Sequence, residues 1–211
     1  KPMFNRAFGA AYPPGSTFKM STLISAMEHK NKEGNIIHPY GTIIHDDSVF
    51  DKYEGFAPVC LAWTTNRVSH GDLDGAMALC YSCNYFFYVL GDLNNAEYPV
   101  ETAKALGLGV PTGIELTEKV GYLNTEARKR EVYGTGVDGK FAVGDRILGA
   151  IGQGEYRFSP LQLCVYASTL ANKGTRMKAT FLSRVVSSDY RTLIEENKPE
   201  IASQMNMAPT T

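Results

Sequence analysis

The chain has 211 residues, 44% of them hydrophobic and 20% charged, which are the proportions of a soluble globular domain large enough to bury a sizeable core. Its formal net charge of −1 lacks the basic excess on which nucleic-acid binders depend, so no nucleic-acid partner is expected. No apolar run is long enough to span a bilayer and no signal peptide is present; the sequence starts at Lys1 rather than at a methionine, so an anchor could precede it.

In chain order, Lys1 to Ala11 offers no assignable element. Tyr12-Pro13-Pro14-Gly15-Ser16-Thr17-Phe18-Lys19 then joins a stiff turn to an apolar helix. Two prolines fix backbone dihedrals and Gly15 supplies a residue without Cβ. Ser16 has the chemistry of an N-cap, and Phe18, Met20, Leu23, Ile24 and Met27 recur at helical steps. The polar stretch Asn31–Gly34 should end this helix. Residues 36–67 keep no period and are punctuated by Pro39, Gly41, Asp46, Asp47, Gly55 and Pro58, which predicts a long irregular excursion with short strands. Next, Asp72 is a plausible N-cap for a helix carrying Leu73, Ala76, Met77, Leu79 and Cys80. A break at Tyr81-Ser82-Cys83-Asn84 separates it from Tyr85-Phe86-Phe87-Tyr88-Val89-Leu90, which is apolar all round and should lie deep in the core.

Further on, Pro99–Leu106 reads as a helix, Val110–Leu116 as a turn and a short extended piece, and Thr125–Glu131 as a surface helical turn. Ala142–Ile151 is ambiguous between helix and strand, and Gly152-Gln153-Gly154 is a permissive turn. Ser159-Pro160-Leu161-Gln162 combines a serine cap, proline at the first helical position and glutamine at the third, and Gly174 should close that helix. Two strands about Ser188-Asp189 follow, and the tail from Asn197 reads as disordered.

Ser16 and Lys19 are three residues apart, so on a helix they share a face. One reading is a capped helix with a lysine that snorkels to water. The other is a nucleophile whose proton Lys19 accepts, because burial disfavours the charged amine. Ser-x-x-Lys alone is expected by chance roughly once in a chain of this size. Cys80-x-x-Cys83 lacks the context of a redox or zinc motif, and the four cysteines are expected to pack. His38, His45, Asp46 and Asp47 read as solvated loop polarity. Neither a metal nor a cofactor is expected.

Taken together, the Tyr-Pro-Pro-Gly-Ser16-Thr-Phe-Lys19 string and Ser82-Cys83-Asn84 resemble the penicillin-binding protein transpeptidase family. Further signposts of that family stand in order: His70-Gly71, Ala76-Met77-Ala78-Leu79, Gly107-Leu108-Gly109, Thr112-Gly113-Ile114, Ile151-Gly152-Gln153-Gly154, Pro160-Leu161-Gln162-Leu163 and Ala171-Asn172-Lys173-Gly174. The resemblance runs from about Asn5 to Val186.

It implies a peptidoglycan D,D-transpeptidase in which Ser16 attacks the D-Ala-D-Ala end of a stem peptide and Lys19 is the general base. Ser82 would relay a proton towards the leaving amine, and Asn84 would orient Lys19 and bind the substrate amide. Gly152 and Gln153 are carried over as substrate-binding residues. The implied partners are stem peptides, β-lactam antibiotics and cell-wall synthesis or division proteins, at the extracytoplasmic face of a bacterial membrane. The implied group is the monofunctional, membrane-anchored one.

The family's third motif, Lys-Thr/Ser-Gly on an edge strand, does not occur in these residues. The expected fold is therefore α+β: mainly the helical lobe of a penicillin-binding protein or serine β-lactamase-like fold, with a few short strands and the main antiparallel sheet largely missing. The expected domain is one partial transpeptidase domain over residues 1–211, whose activity alone is in question. Two alternatives remain at this stage, a serine β-lactamase or β-lactam sensor of the same fold, and a non-catalytic helical lobe. The absence of a Glu-x-x-x-Asn segment weighs against the β-lactamase.

Overall fold

The structure of the chain is a computed structural model that describes residues 3–211. A single turn, α1 (Arg6–Gly9), opens it. Its Asn5 Oδ1 accepts from the Ala7 N–H at 2.9 Å. A 3-10 turn (Gly15–Phe18) runs directly into α2 (Lys19–Glu28). Then come β1 (Ile44–Asp46), α3 (Leu61–Asn66), β2 (Gly71–Leu73), α4 (Gly75–Cys80), α5 (Asn84–Leu93), α6 (Tyr98–Ala105), α7 (Glu126–Tyr133), α8 (Val143–Gly149) and α9 (Pro160–Ala171). The last elements are β3 (Thr175–Met177), β4 (Arg184–Val186), β5 (Leu193–Glu196) and β6 (Ile201–Gln204). Among the described residues these strands make three separate two-stranded antiparallel ribbons and no larger sheet. That is the expected α+β helical lobe.

The chain divides into two compact units. The first comprises Pro13–Ala103, Tyr122–Arg157 and Met207–Thr211, and α5 is its axis. Phe86, Phe87 and Leu90 on α5 are fully buried, as the all-round apolar run requires, and α5 packs against α2 and α8. Gly91 permits the close approach to α8: a Cβ there would stand 2.8 Å from Ala150 Cβ and 3.1 Å from Ile147 Cα. β1 and β2 pair with Ile44 opposite Leu73, which brings Leu73 into the same core cluster.

The second unit comprises Lys1–Tyr12, Lys104–Gly121 and Phe158–Asn206, and α9 organises it. The Ser159 hydroxyl accepts from the Gln162 N–H while Gln162 Oε1 accepts from the Ser159 N–H, the reciprocal pattern of a capping box. Gln162 also donates to Val110 O at 2.8 Å and accepts from Gly121 N at 3.2 Å, so one buried side chain binds the helix to the preceding loop.

Several local expectations are corrected. Ser16 is not an N-cap. Pro14 already has helical dihedrals and Gly15 sits at φ +56°, so the first turn starts earlier and Ser16 lies inside it. The cap expected at Asp72 falls at Asp74, whose Oδ1 accepts from the Met77 N–H at 2.8 Å; Asp72 is in β2 instead. Ala142–Ile151 resolves as the helix α8. The extended piece after Val110 does not form a strand, and the tail is ordered, with β6 pairing with β3. No helix among the described residues is long and apolar enough to cross a membrane.

Candidate active site

α2 begins with its one charge buried. Lys19 is 1% exposed, between the buried Phe18 and Ser21. Its ammonium stem is held by the break between α4 and α5: Nζ lies 2.7 Å from Ser82 O, 2.9 Å from Ser82 Oγ and 2.7 Å from Asn84 Oδ1. Nζ also stands 5.4 Å from the Phe87 ring centroid. Ser82 takes φ +51°, a left-handed conformation that a side chain adopts only at a cost of about 1–2 kcal/mol. That turn brings the Ser82 carbonyl and hydroxyl to one amine. Burial lowers the Lys19 pKa from 10.5 to about 8, with the Cys83 and Cys60 sulfurs acting in the opposite sense.

The three partners of Nζ are not equivalent. A carbonyl and an amide oxygen only accept, whereas a hydroxyl both accepts and donates. An ammonium therefore satisfies all three with its three hydrogens. A neutral amine gives two hydrogens to Ser82 O and Asn84 Oδ1, and its lone pair can take the Ser82 proton. The site holds both protonation states without rearranging heavy atoms, as a proton-transfer station requires.

Ser16 sits one turn before Lys19 with its side chain exposed. The bonds of Lys19 Nζ given above go to Ser82 and Asn84 and none goes to Ser16. Ser16 is in the first turn, where backbone N–H groups lack intrahelical acceptors and can point at an oxyanion.

Gly152 fixes Gly15, the residue before Ser16. The Gly15 N–H donates to Gly152 O at 3.2 Å, Gly152 has φ +75°, and a Cβ there would lie 2.1 Å from Gly15 O. Gly152 thus buttresses the backbone that presents Ser16, whereas Gln153 is exposed beside it.

A second constellation joins residues that the sequence reading took singly, the cysteines as packing, Asp46 as loop polarity and His70 as a family signpost. Asp46, Cys60, His70 and Cys83 each point one ligand atom into a common space, all within 4.8 Å of one another. His70 Nδ1 is 2.8 Å from Asp46 Oδ2 and 3.7 Å from Cys60 Sγ, and the two sulfurs are 3.9 Å apart. Burial raises the Asp46 pKa, but bonds from the His70 and Ser48 N–H groups outweigh it and leave the carboxyl below its ordinary value. The proton shared between the thiols pulls Cys60 down and pushes Cys83 up. Two thiols, an imidazole and a carboxylate make a donor set that Zn²⁺ takes. Zinc–sulfur bonds of about 2.3 Å in a tetrahedron would put the sulfurs about 3.8 Å apart, so these residues fit such an ion. Cys80, the other half of the Cys-x-x-Cys pair, is exposed on α4 and takes no part. The partner of Cys83 is Cys60, 23 positions earlier, and no local spacing could have revealed it.

Comparisons with known proteins identify the family of the chain. All 211 residues match the family described as penicillin binding protein transpeptidase domain. The chain is 28% identical over 179 residues to the peptidoglycan D,D-transpeptidase MrdA of Acinetobacter baumannii, covering 84% of this chain and 25% of that protein. Its structure superposes on a penicillin-binding protein (PBP2) from Helicobacter pylori with a TM-score of 0.77 at 25% identity, covering 97% of this chain and 34% of that one. The complex of a penicillin-binding protein (PBP2) with MreC from the same organism gives 0.74 at 25% identity, covering 91% and 32%. The chain spans about a quarter of the length of the curated relative. The chain belongs to the penicillin-binding protein transpeptidase domain family.

Proposed function

We propose that these residues are the attacking half of a peptidoglycan D,D-transpeptidase site. The observation that carries this reading is the buried Lys19 amine held by Ser82 and Asn84 one turn from an exposed Ser16. Ser16 Oγ attacks the carbonyl between the two D-Ala residues of a stem peptide, and its proton passes to Lys19 Nζ. The resulting ammonium finds three acceptors already in place. Ser82 Oγ then passes a proton to the departing D-Ala amine and takes one from the Lys19 ammonium 2.9 Å away, leaving an acyl-enzyme on Ser16 and a neutral Lys19. An amine of a neighbouring stem attacks that ester, and the same groups run in reverse. Gln153 meets the substrate in this reading, which its exposure beside the Gly15–Gly152 contact supports, while Gly152 acts through the backbone.

β-Lactams present a strained carbonyl in place of the D-Ala-D-Ala amide and acylate Ser16, the ring nitrogen staying attached to the acyl group so that no leaving group departs. The working location is the outer face of a bacterial membrane, where stem peptides are found, with cell-wall synthesis proteins as neighbours; the MreC complex of the similar Helicobacter pylori protein supports a partner of that kind. The test is labelling by a fluorescent penicillin of these residues in a chain that also carries the Lys-Thr/Ser-Gly strand. A stable adduct mapped to Ser16 and absent from Ser16→Ala is expected. No adduct at any concentration would contradict the reading, and rapid release of the label would move it to a β-lactamase.

A further inference from the structure

We propose that Thr22 is a positioning residue for acyl transfer: its hydroxyl locks the turn after α8, and that turn sets where Ser16 stands. The proposal rests on Ser16 being the nucleophile. Thr22 is fully buried on α2, three residues beyond Lys19, and its Oγ1 donates to Ala150 O at 2.8 Å. Ala150 is the C-cap of α8, and carbonyls at a helix's end lack partners within the helix. Two residues further on, Gly152 O accepts from the Gly15 N–H at 3.2 Å. A closed ring results. It runs along the chain from Gly15 through Ser16 and Lys19 to Thr22, crosses to Ala150, follows the turn to Gly152 and returns to Gly15.

The turn itself is stiff. Gly152 N donates to Gly149 O at 2.9 Å and Gln153 N to Leu148 O at 3.2 Å. At its far end Asn124, 3% exposed, accepts from Glu155 N at 3.1 Å and donates to Asp145 O at 2.8 Å. The Tyr156 ring then packs 4.2 Å from the ring of Phe18, a member of the same 3-10 turn as Ser16. Of these contacts, the Thr22 bond alone joins the turn to α2, the helix that begins with Lys19. It therefore fixes nucleophile and base in one frame.

Without the hydroxyl, Ala150 O is a buried acceptor that has lost the Thr22 donor, and a carbonyl left unsatisfied in that way is costly. The turn moves to relieve it, Gly152 O moves with the turn, and the Gly15 N–H loses its acceptor. Lys19 is spared, because its three oxygens come from Ser82 and Asn84. The effect falls on where Ser16 points, not on the protonation of its base. Misplacing a reacting atom by about 1 Å can cost about a hundredfold in rate.

The experiment compares Thr22→Val, Thr22→Ala, Thr22→Ser and Thr169→Val in a chain that also carries the Lys-Thr/Ser-Gly strand. Valine keeps the branched shape without the hydroxyl, and alanine, the better helix former, serves if the valine variant does not fold. Thr169 is the control: it is buried in α9 and donates to Val165 O at 2.8 Å, so its valine variant loses an equivalent bond far from Ser16 in sequence. Labelling by a fluorescent penicillin over a range of concentrations separates non-covalent binding from the acylation step. Thr22→Val and Thr22→Ala should slow acylation about tenfold or more, with the dissociation constant of the non-covalent complex and the pH midpoint unchanged. Thr22→Ser should restore the rate, and Thr169→Val should keep it. Exchange of the Gly15 amide, followed by NMR, should quicken about fivefold or more in the two variants without a hydroxyl at position 22. Wild-type acylation or unchanged Gly15 exchange in either of them would overturn the proposal, as would an equal loss of rate in Thr169→Val. A wild type that takes no label would contradict Ser16 as nucleophile instead, and the Gly15 exchange would still decide whether Thr22 locks the turn.

Discussion

Lys19 Nζ stands 2.7 Å from Asn84 Oδ1 although 65 positions separate the two residues. The contact exists because α2 and α5 pack side by side and Asn84 is the first residue of α5. Apolar burial along two helices thus delivers a polar side chain to a buried amine. Replacing Asn84 by aspartate puts a carboxylate where the amide oxygen was, and an opposite charge at that distance favours the ammonium. Asn84→Asp should therefore move the midpoint of the pH–acylation curve upward by at least one unit. A midpoint that stays in place would show that residue 84 does not control the protonation of Lys19.

Lys19 also imposes a cost on the fold with a definite pH signature. Its pKa is about 8 in the folded chain and near 10.4 unfolded, so between those values the unfolded chain binds more protons and stability rises with pH. The difference corresponds to about 3 kcal/mol. Urea unfolding of the wild type and Lys19→Met between pH 7.5 and 10.5 isolates the effect, since other titrating groups are common to both. The stability advantage of Lys19→Met should shrink by about that amount across the window. A difference independent of pH would mean that Lys19 is not the buried amine described here.

Gly152 tests the backbone support of Ser16. Alanine there meets both a left-handed φ and a contact of 2.1 Å with Gly15 O, which should destabilise the protein by about 3 kcal/mol or more and slow acylation by displacing Ser16. Gly134 has φ +81° and ψ −174° with nothing within 4 Å of its would-be Cβ, so Gly134→Ala should cost about 1–3 kcal/mol through backbone strain alone and leave acylation unchanged. Equal effects at the two positions would refute a special role for Gly152.

The capping box of α9 makes a purely structural prediction. Ser159→Ala should cost about 1 kcal/mol. Gln162→Ala also strands Val110 O and the Gly121 N–H, so it should cost about 2–3 kcal/mol. Chemical denaturation checks the order, and a Ser159 variant less stable than the Gln162 variant would reverse it.

What the sequence made legible follows the range of the interactions. Ser159-Pro160-Leu161-Gln162 announced α9 because a capping box spans four residues, and the run from Tyr85 to Leu90 announced its own burial. Ser16 was misplaced by the same local logic. It has cap chemistry, but the tight turn at Pro14-Gly15 pulled the helix start past it. β6 was hidden because a four-residue strand in a polar tail acquires meaning only from β3, about 27 residues earlier. The site divides in the same way. Ser16 with Lys19 and Ser82 with Asn84 are local spacings, readable as motifs, and their meeting was inferred from resemblance. The Asp46, Cys60, His70 and Cys83 cluster has no local spacing at all and emerges only when β1, the start of α3 and the α4–α5 break fold onto one another.

The central claim, that a buried neutral Lys19 activates Ser16, is met most directly by the pH dependence of Ser16 acylation in single-turnover experiments with a labelled penicillin. The rate should rise about tenfold per pH unit below an apparent pKa near 8 and level off above it, with Lys19→Arg abolishing the rise because a guanidinium stays charged. A rate flat from pH 6 to 9, or a profile that Lys19→Arg leaves intact, would contradict the account.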